Sequence, residues 1–102
     1  MAKKLKPVHP GEILKEKFMA PLGLSMNKMT MGLRVPVTRI ADIVNARHGI
    51  TADTALRFAR YFKNTAAFWM NLQTRYDLEV AVDELADKVE HDVQPPEVVS
   101  GQ

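Results

Sequence analysis

The sequence contains no cysteine, and no apolar run in it approaches the roughly 20 residues that are needed to cross a bilayer. The lack of cysteine excludes a disulfide scaffold, a thiol nucleophile and a cysteine-ligated zinc site, and it suits a reducing compartment. No apolar segment of the secretory type follows the N-terminal lysines. We therefore expect a cytoplasmic protein that makes no contact with a membrane.

Motifs of catalysis are missing as well. The three histidines, His9, His48 and His91, lie far apart in the chain, and no two of them stand at ligand spacing. The HExxH and GxSxG motifs are absent, and so is a glycine-rich phosphate loop. We expect no metal site, no cofactor, no small-molecule substrate and no enzymatic activity.

The charge that the sequence does contain is unevenly distributed. The chain of 102 residues is 46% hydrophobic and 25% charged, which is typical of one small globular domain. Residues 1–63 hold twelve basic and four acidic side chains, a net charge of +8, whereas residues 64–102 hold two and eight, a net charge of −6. This polarity indicates that the basic half faces an anion, unless both halves are ordinary solvated surfaces.

Apolar residues recur at helical spacing between proline, glycine and capping residues, which predicts an all-α fold without strands. The first predicted helix opens at Pro10 and is ended by Pro21 and Gly23. The others cover about 26–32, which Ser25 caps, then 36–45, 52–62, which Thr51 caps, and 66–90. The inner face of the fourth helix is predicted to consist of Ala52, Ala55, Ala59 and Phe62. In the last helix, Phe68, Trp69 and Tyr76 stand at helical spacing, which favours a packing cluster over a stack for single-stranded bases.

Two short helices joined by about three residues are typical of a helix-turn-helix. Thr30 is small enough to let the two helices cross closely, and Leu33, Val35, Ile40 and Ile43 supply their shared core. Arg34 occupies the turn position where glycine is usual because φ is positive there. It either accepts a modest strain or indicates a different turn. We expect a flexible basic arm at 1–9, a helix-turn-helix domain with a long C-terminal helix at 10–90, and a flexible tail at 91–102.

The second of these helices, here called the reading helix, would enter the major groove of duplex DNA. Thr38 and Asn45 would exchange hydrogen bonds with base edges, and Val37 would meet a thymine methyl group. Asp42 would accept a hydrogen bond from cytosine or pair with Arg39. The complete set of predicted base-reading residues is Val37, Thr38, Arg39, Asp42 and Asn45. The predicted phosphate contacts are Lys28, Arg34 and Arg47, with Arg39 as a further candidate; the alternative is that each is an ordinary surface residue.

Three stretches of the sequence carry a resemblance to a known family. They are HPGEIL at 9–14, the Val-Pro of the reading helix together with ITADTALRFARYF at 50–62, and FWMNLQTRYDL at 68–78. Over about residues 8–82 the chain resembles the HigA antitoxins, also called the VapI type, within the lambda-repressor-like (XRE) helix-turn-helix group. The resemblance implies a five-helix homodimer that binds operator DNA and neutralises a HigB toxin, which is similar to the mRNA endonuclease RelE. It places the family's base-reading positions on Val37, Thr38, Arg39 and Asp42.

The last helix carries two neighbouring lines of side chains with different chemistry. The apolar line is Leu78, Val82, Leu85 and Val89, and the acidic line is Glu79, Asp83, Asp87 and Glu90. The acids would attract a toxin that is cationic because it grips RNA, or the apolar line would close the homodimer while the acids keep the helix soluble. Two alternatives to an antitoxin also stay open. One is a stand-alone XRE repressor, and the other is a helical adaptor whose basic half binds a protein.

Overall fold

The computed structural model describes residues 6–97, and all regular structure in that range is helical. Residues 6–97 form five helices: α1 (10–22), α2 (Met26–Leu33), α3 (Val37–Val44), α4 (Ala52–Phe62) and α5 (Ala66–Asp92). The predicted all-α, five-helix fold is therefore confirmed. The reading helix, α3, begins one residue later than predicted because Pro36 has an extended backbone and precedes the first turn.

Helix α1 changes its winding along its length. Pro10–Ile13 and Ala20–Leu22 are α-helical, whereas Leu14–Met19 is wound as a π-helix. The Ala20 N–H donates to the carbonyl of Lys15, five residues earlier, and the next residue, Pro21, has no N–H to donate. The helix then ends at Gly23, whose φ of 63° is readily adopted by glycine.

Hydroxyl side chains fix where three of the helices begin. The Ser25 Oγ accepts a hydrogen bond of 3.0 Å from the Lys28 N–H at the start of α2. The hydroxyl of Thr51 caps α4, and that of Thr65 caps α5 by accepting from the Phe68 N–H at 3.0 Å. Such caps satisfy N–H groups that have no partner within the helix. The predicted caps at Ser25 and Thr51 are confirmed.

Aromatic rings from α1, α4 and α5 meet in the core. Trp69 is fully buried, and its ring centroid lies 4.9 Å from that of Phe58 and 4.9 Å from that of Phe18. Its indole N–H donates to the Asn64 side chain at 2.9 Å, so the polar atom of this buried ring is satisfied. The predicted packing role of Trp69 is confirmed.

The inner face predicted for α4 is partly wrong. Ala52 is exposed, and the residues that α4 buries are Thr54, Ala55 and Phe58. Phe58 is fully buried and was not assigned to the core from the sequence. The helix is rotated so that the Phe58 ring reaches Trp69, and this rotation moves Ala52, the residue directly after the cap, to the solvent side.

The ends of the described range refine the predicted boundaries. Residues 6–9 contain no helix, and α5 continues through Asp92, two residues into the predicted tail. Residues 1–5 of the predicted arm and 98–102 of the predicted tail lie outside the described residues. Between residues 6 and 97, no helix combines the length and the hydropathy that a membrane span requires.

Candidate nucleic-acid interface

Helices α2 and α3 form a helix-turn-helix whose turn contains a strained residue. Arg34 ends α2 with φ 61° and ψ 45°, and its N–H donates to the Thr30 carbonyl at 2.8 Å. Arg34 therefore adopts the left-handed conformation that a glycine would favour, at a cost of about 1 kcal/mol. The predicted core is confirmed at Leu33, Ile40 and Ile43, which are buried.

The start of α1 packs directly against the end of the reading helix. A Cβ atom on Gly11 would overlap the carbonyl of Ile43, so only glycine allows this approach. The His9 Nδ1 accepts a hydrogen bond of 2.9 Å from the Gly11 N–H and thereby caps α1. The sequence HPGE thus forms the close contact that holds α3 from behind.

His9 is held in its neutral form by its surroundings. Partial burial lowers the pKa of His9, and this effect outweighs the charge of Asp77 and a hydrogen bond with the backbone of His48, both of which raise it. The ring also meets Tyr76 edge-on, with 4.8 Å between centroids. Because a protonated Nδ1 cannot accept a hydrogen bond, the neutral form is the one that caps α1.

Helix α5 holds the loop that follows the reading helix through a residue that the sequence did not single out. The Gln73 Oε1 accepts a hydrogen bond of 2.6 Å from the Ile50 N–H. A Cβ atom on Gly49 would collide with the Gln73 side chain, so the loop and the helix are in close contact. The only signal for Gln73 in the sequence was its place within FWMNLQTRYDL.

The face of α3 that lies opposite the core is open to solvent. Thr38 and Asn45 are exposed, and Val37 is 43% exposed although it is apolar. Around this helix, the three predicted phosphate contacts are also exposed: Lys28 in the first turn of α2, Arg34 in the turn, and Arg47 after α3. Among the described residues, no group of His, Asp or Glu could hold a metal ion.

The predicted pairing of Asp42 with Arg39 is wrong. One Asp42 oxygen lies 3.1 Å from the Arg47 Nε, and the other lies 3.2 Å from the His48 Nδ1. The backbone N–H groups of Arg47 and His48 also donate to the Asp42 carbonyl, at 2.7 and 3.1 Å. The loop after α3 therefore folds back over Asp42 and takes both of its carboxylate oxygens.

Arg39 reaches a different carboxylate, on helix α4. Its Nη1 lies 2.7 Å from the Asp53 Oδ2, and the Arg57 Nε lies 3.3 and 3.2 Å from the two Asp53 oxygens. Asp53 and Arg57 are four residues apart, so they lie on the same face of α4. The hydrogen bond from Arg39 is the largest of the effects that hold the pKa of Asp53 below its ordinary value. Arg57 also donates to the Leu33 carbonyl at 2.9 Å, which joins α4 to the end of α2.

A second surface lies along α5, away from the reading helix. Its apolar side chains, between 46% and 61% exposed, are Leu78, Val82, Leu85 and Val89. Leu78 and Val82 border a groove of about 620 Å³ whose other wall includes Val8 and Ile13. Of the other predicted contact residues, Glu79 and Asp83 line the same groove, and Leu85 and Asp87 lie farther along α5.

The fold and the turn between α2 and α3 define a helix-turn-helix protein, and comparison with known proteins narrows the class. No family model matches the chain. The chain is 51% identical to virulence-associated protein I of Dichelobacter nodosus over 74 residues, which cover 72% of this chain and 68% of that protein.

Two solved structures share the whole architecture. One is an addiction module antidote protein of the HigA family from Coxiella burnetii, with a TM-score of 0.85, 41% identity, and coverage of 90% of this chain and 100% of that one. The other is the antitoxin HigA of Pseudomonas aeruginosa with the higBA promoter, with a TM-score of 0.84, 40% identity, and coverage of 87% and 97%. The chain belongs to the HigA family.

Proposed function

We propose that this protein is the DNA-binding antitoxin of a type II toxin–antitoxin module, which represses its own operon and neutralises a HigB-like toxin. The observation that carries the proposal is the exposed outer face of α3, where Val37, Thr38 and Asn45 are open to solvent. The opposite side of this helix packs against α1. An α-helix fits the major groove of B-DNA, where polar side chains distinguish base pairs. The related antitoxin from Pseudomonas aeruginosa was solved with promoter DNA, which supports the proposal.

Every predicted DNA contact other than Arg39 takes a definite role in this proposal. Thr38 and Asn45 bond to base edges, Val37 meets a thymine methyl group, and Lys28 and Arg34 neutralise phosphates. Asp42 does not read a base, because its oxygens are engaged by Arg47 and His48; it aims Arg47 at the phosphate backbone. Because an operator-binding protein acts on the chromosome, the proposal places the protein in the cytoplasm.

A binding titration with the DNA upstream of the gene tests this function. We expect Thr38→Ala to lower the affinity for that DNA about 10-fold or more while leaving the affinity for unrelated DNA unchanged, since a base contact is worth about 1–3 kcal/mol. Thr74→Ala, an exposed threonine on α5, is the matched control. The affinity for upstream DNA could prove no greater than that for unrelated DNA, or it could fail to fall steeply as the salt concentration rises. Either result would exclude the repressor role and favour the helical adaptor.

The proposal includes a homodimer, because one reading helix contacts too few base pairs for useful specificity. A two-fold partner would place a second reading helix about 34 Å away, one turn along the DNA. The exposed apolar line on α5 is the surface that such a partner would cover. Its members follow each other at spacings of four, three and four residues, the pattern of a helix that packs against another helix.

Charge selects the direction in which two α5 helices would pair. An antiparallel pair that joins Val82 to Leu85 of the partner subunit sets Arg75 opposite Asp92 of the partner subunit. A parallel pair would instead set Arg75 against its own copy, and Asp92 likewise, which is repulsive. The antiparallel pair also directs the far end of the partner helix into the groove beside Val8 and Ile13.

Engineered cysteines test this arrangement cleanly, because the native chain has none. The antiparallel register places Leu78 beside Val89 of the partner subunit. We expect the double variant Leu78→Cys/Val89→Cys to form a disulfide-linked dimer on oxidation, whereas neither single variant does. Cross-linking by each single variant would indicate a parallel pair, and sedimentation as a monomer at micromolar concentration would exclude the dimer.

The same pairing leaves an acidic face of α5 for the toxin. In this register Asp87 and Glu90 lie on the outside of the pair, and Asp83 lies beside them at the edge of the groove. These acids would attract a cationic RNA-binding protein and speed its association. We expect Asp83→Lys/Asp87→Lys to weaken toxin binding and to spare operator binding. The product of the neighbouring gene is the natural test partner, and if it neither binds this protein nor inhibits growth, a stand-alone repressor is the better description.

A further inference from the structure

The reading helix is joined to α4 by a chain of three charged side chains. Arg39 on α3 bonds to Asp53 in the first turn of α4, with 2.7 Å between Nη1 and Oδ2. Asp53 in turn bonds to Arg57, one turn farther along α4. The contacts of the Arg39 guanidinium are therefore set by a residue fourteen positions away, on a different helix.

Arg57 anchors this chain to the helix-turn-helix itself. Its Nη1 donates to the Leu33 carbonyl at 2.9 Å and lies 3.5 Å from the Arg34 carbonyl. These are the last carbonyl of α2 and the first of the turn, which have no partner within the helix. One connected set of hydrogen bonds thus runs from the turn, through Arg57 and Asp53, to Arg39.

The exposure of these side chains argues against a mainly stabilising role. The side chains of Arg39, Asp53 and Arg57 are 40%, 56% and 40% exposed, and ion pairs at such sites contribute little to folding stability. A free arginine side chain has many rotamers, and binding through it requires that freedom to be given up. Holding the guanidinium before DNA arrives removes this cost from the binding step.

We infer that Asp53 is a positioning residue, which holds Arg39 in place to read a guanine in the operator, and that Arg57 keeps Asp53 in position. Asp53 contacts Arg39 through Nη1, which leaves Nε and Nη2 for the O6 and N7 atoms of guanine. This inference rests on the proposed operator binding and adds a residue to it that lies outside the reading helix.

The inference predicts a loss of specificity where simple electrostatics predicts a gain in affinity. Removing an acid beside DNA should strengthen binding to any sequence. For Asp53→Asn we instead expect operator affinity to fall about 10-fold while affinity for unrelated DNA stays the same or rises. Asp53→Glu, which keeps the charge and can still reach Arg39, should recover most of the operator affinity. Glu16→Gln, an exposed acid on α1, is the control for the change in charge.

A double-mutant cycle identifies the residue through which Asp53 acts. In an Arg39→Ala background, Asp53→Asn should cause no further loss of operator affinity, and both variants should lose discrimination at the same base pair. An equal loss in both backgrounds, or a rise in operator affinity for Asp53→Asn alone, would overturn the inference. If the unaltered protein does not prefer its upstream DNA, both the proposed function and this inference fail. If the unaltered protein prefers that DNA but Asp53→Asn leaves the operator affinity unchanged, only this inference fails.

Discussion

The Gln73 side chain on α5 accepts a hydrogen bond from the Ile50 N–H, in the loop that follows the reading helix, with 2.6 Å between Oε1 and N. Gln73 thus connects the helix proposed to form the dimer to the segment that follows the DNA-reading residues. The contact is partly buried, so water replaces it poorly if it is lost.

Replacing Gln73 by methionine keeps the length of the side chain and removes the acceptor. We expect the free energy of unfolding to fall by about 1–3 kcal/mol, because the Ile50 N–H is left without its partner. Denaturant titration followed by circular dichroism measures the change. Asn71→Met, at an exposed position of the same helix, should change stability by less than about 0.5 kcal/mol. Equal effects at the two positions would show that the hydrogen bond is unimportant.

Gly11→Ala tests the contact between α1 and the end of α3. Alanine is the better helix former, yet its Cβ would overlap the Ile43 carbonyl. We expect a loss of about 1–3 kcal/mol in stability and a weaker operator affinity, since the end of the reading helix must move. Gly23 has a positive φ of 63°, but a Cβ atom added there would meet no neighbour within 4 Å. Gly23→Ala should therefore lower stability without changing operator affinity. Full stability of Gly11→Ala would contradict the close approach.

The lowered pKa of His9 predicts how stability depends on pH. The folded state disfavours the charged ring. The contribution of neutral His9 to the free energy of unfolding is therefore fully present above the ordinary pKa of 6.5, and it is lost as the pH falls toward the lowered value. Unfolding titrations between pH 8 and about pH 5 should show this decline. His9→Asn keeps a capping side chain that does not titrate, so its profile should be flatter. Identical profiles for the two proteins would assign the decline to other groups.

Arg34→Gly separates the strain of the turn from the charge that it carries. Glycine adopts the left-handed conformation readily, so we expect stability to rise by about 1 kcal/mol. The slope of log operator affinity against log salt concentration should become less negative by about 0.9, which is the amount for one lost phosphate contact. Lys63→Gly, with φ 59° at the end of α4, should stabilise the protein equally without changing that slope. An unchanged slope for Arg34→Gly would remove Arg34 from the interface.

The family and the position of the reading helix could be predicted from the sequence, because the patterns that indicate them lie in contiguous stretches or among residues close together in the chain. The caps at Ser25 and Thr51, the turn at Arg34 and the apolar spacing of α3 each involve residues within about one helical turn of each other. The predictions that failed involved the packing of one helix on another. Phe58 was missed, Ala52 was placed inside, and Arg39 was given the wrong carboxylate.

The order of the helices, their caps and the outward face of α3 were determined by the sequence alone, since hydrogen bonds and periodicity within a helix depend only on spacing along the chain. Only the tertiary structure decided that Arg39 meets Asp53, that Gln73 meets Ile50, and that α1 approaches α3 at Gly11. These contacts depend on how each helix is rotated about its axis and how closely it crosses its neighbours, and both are set by the packing of the whole core around Trp69.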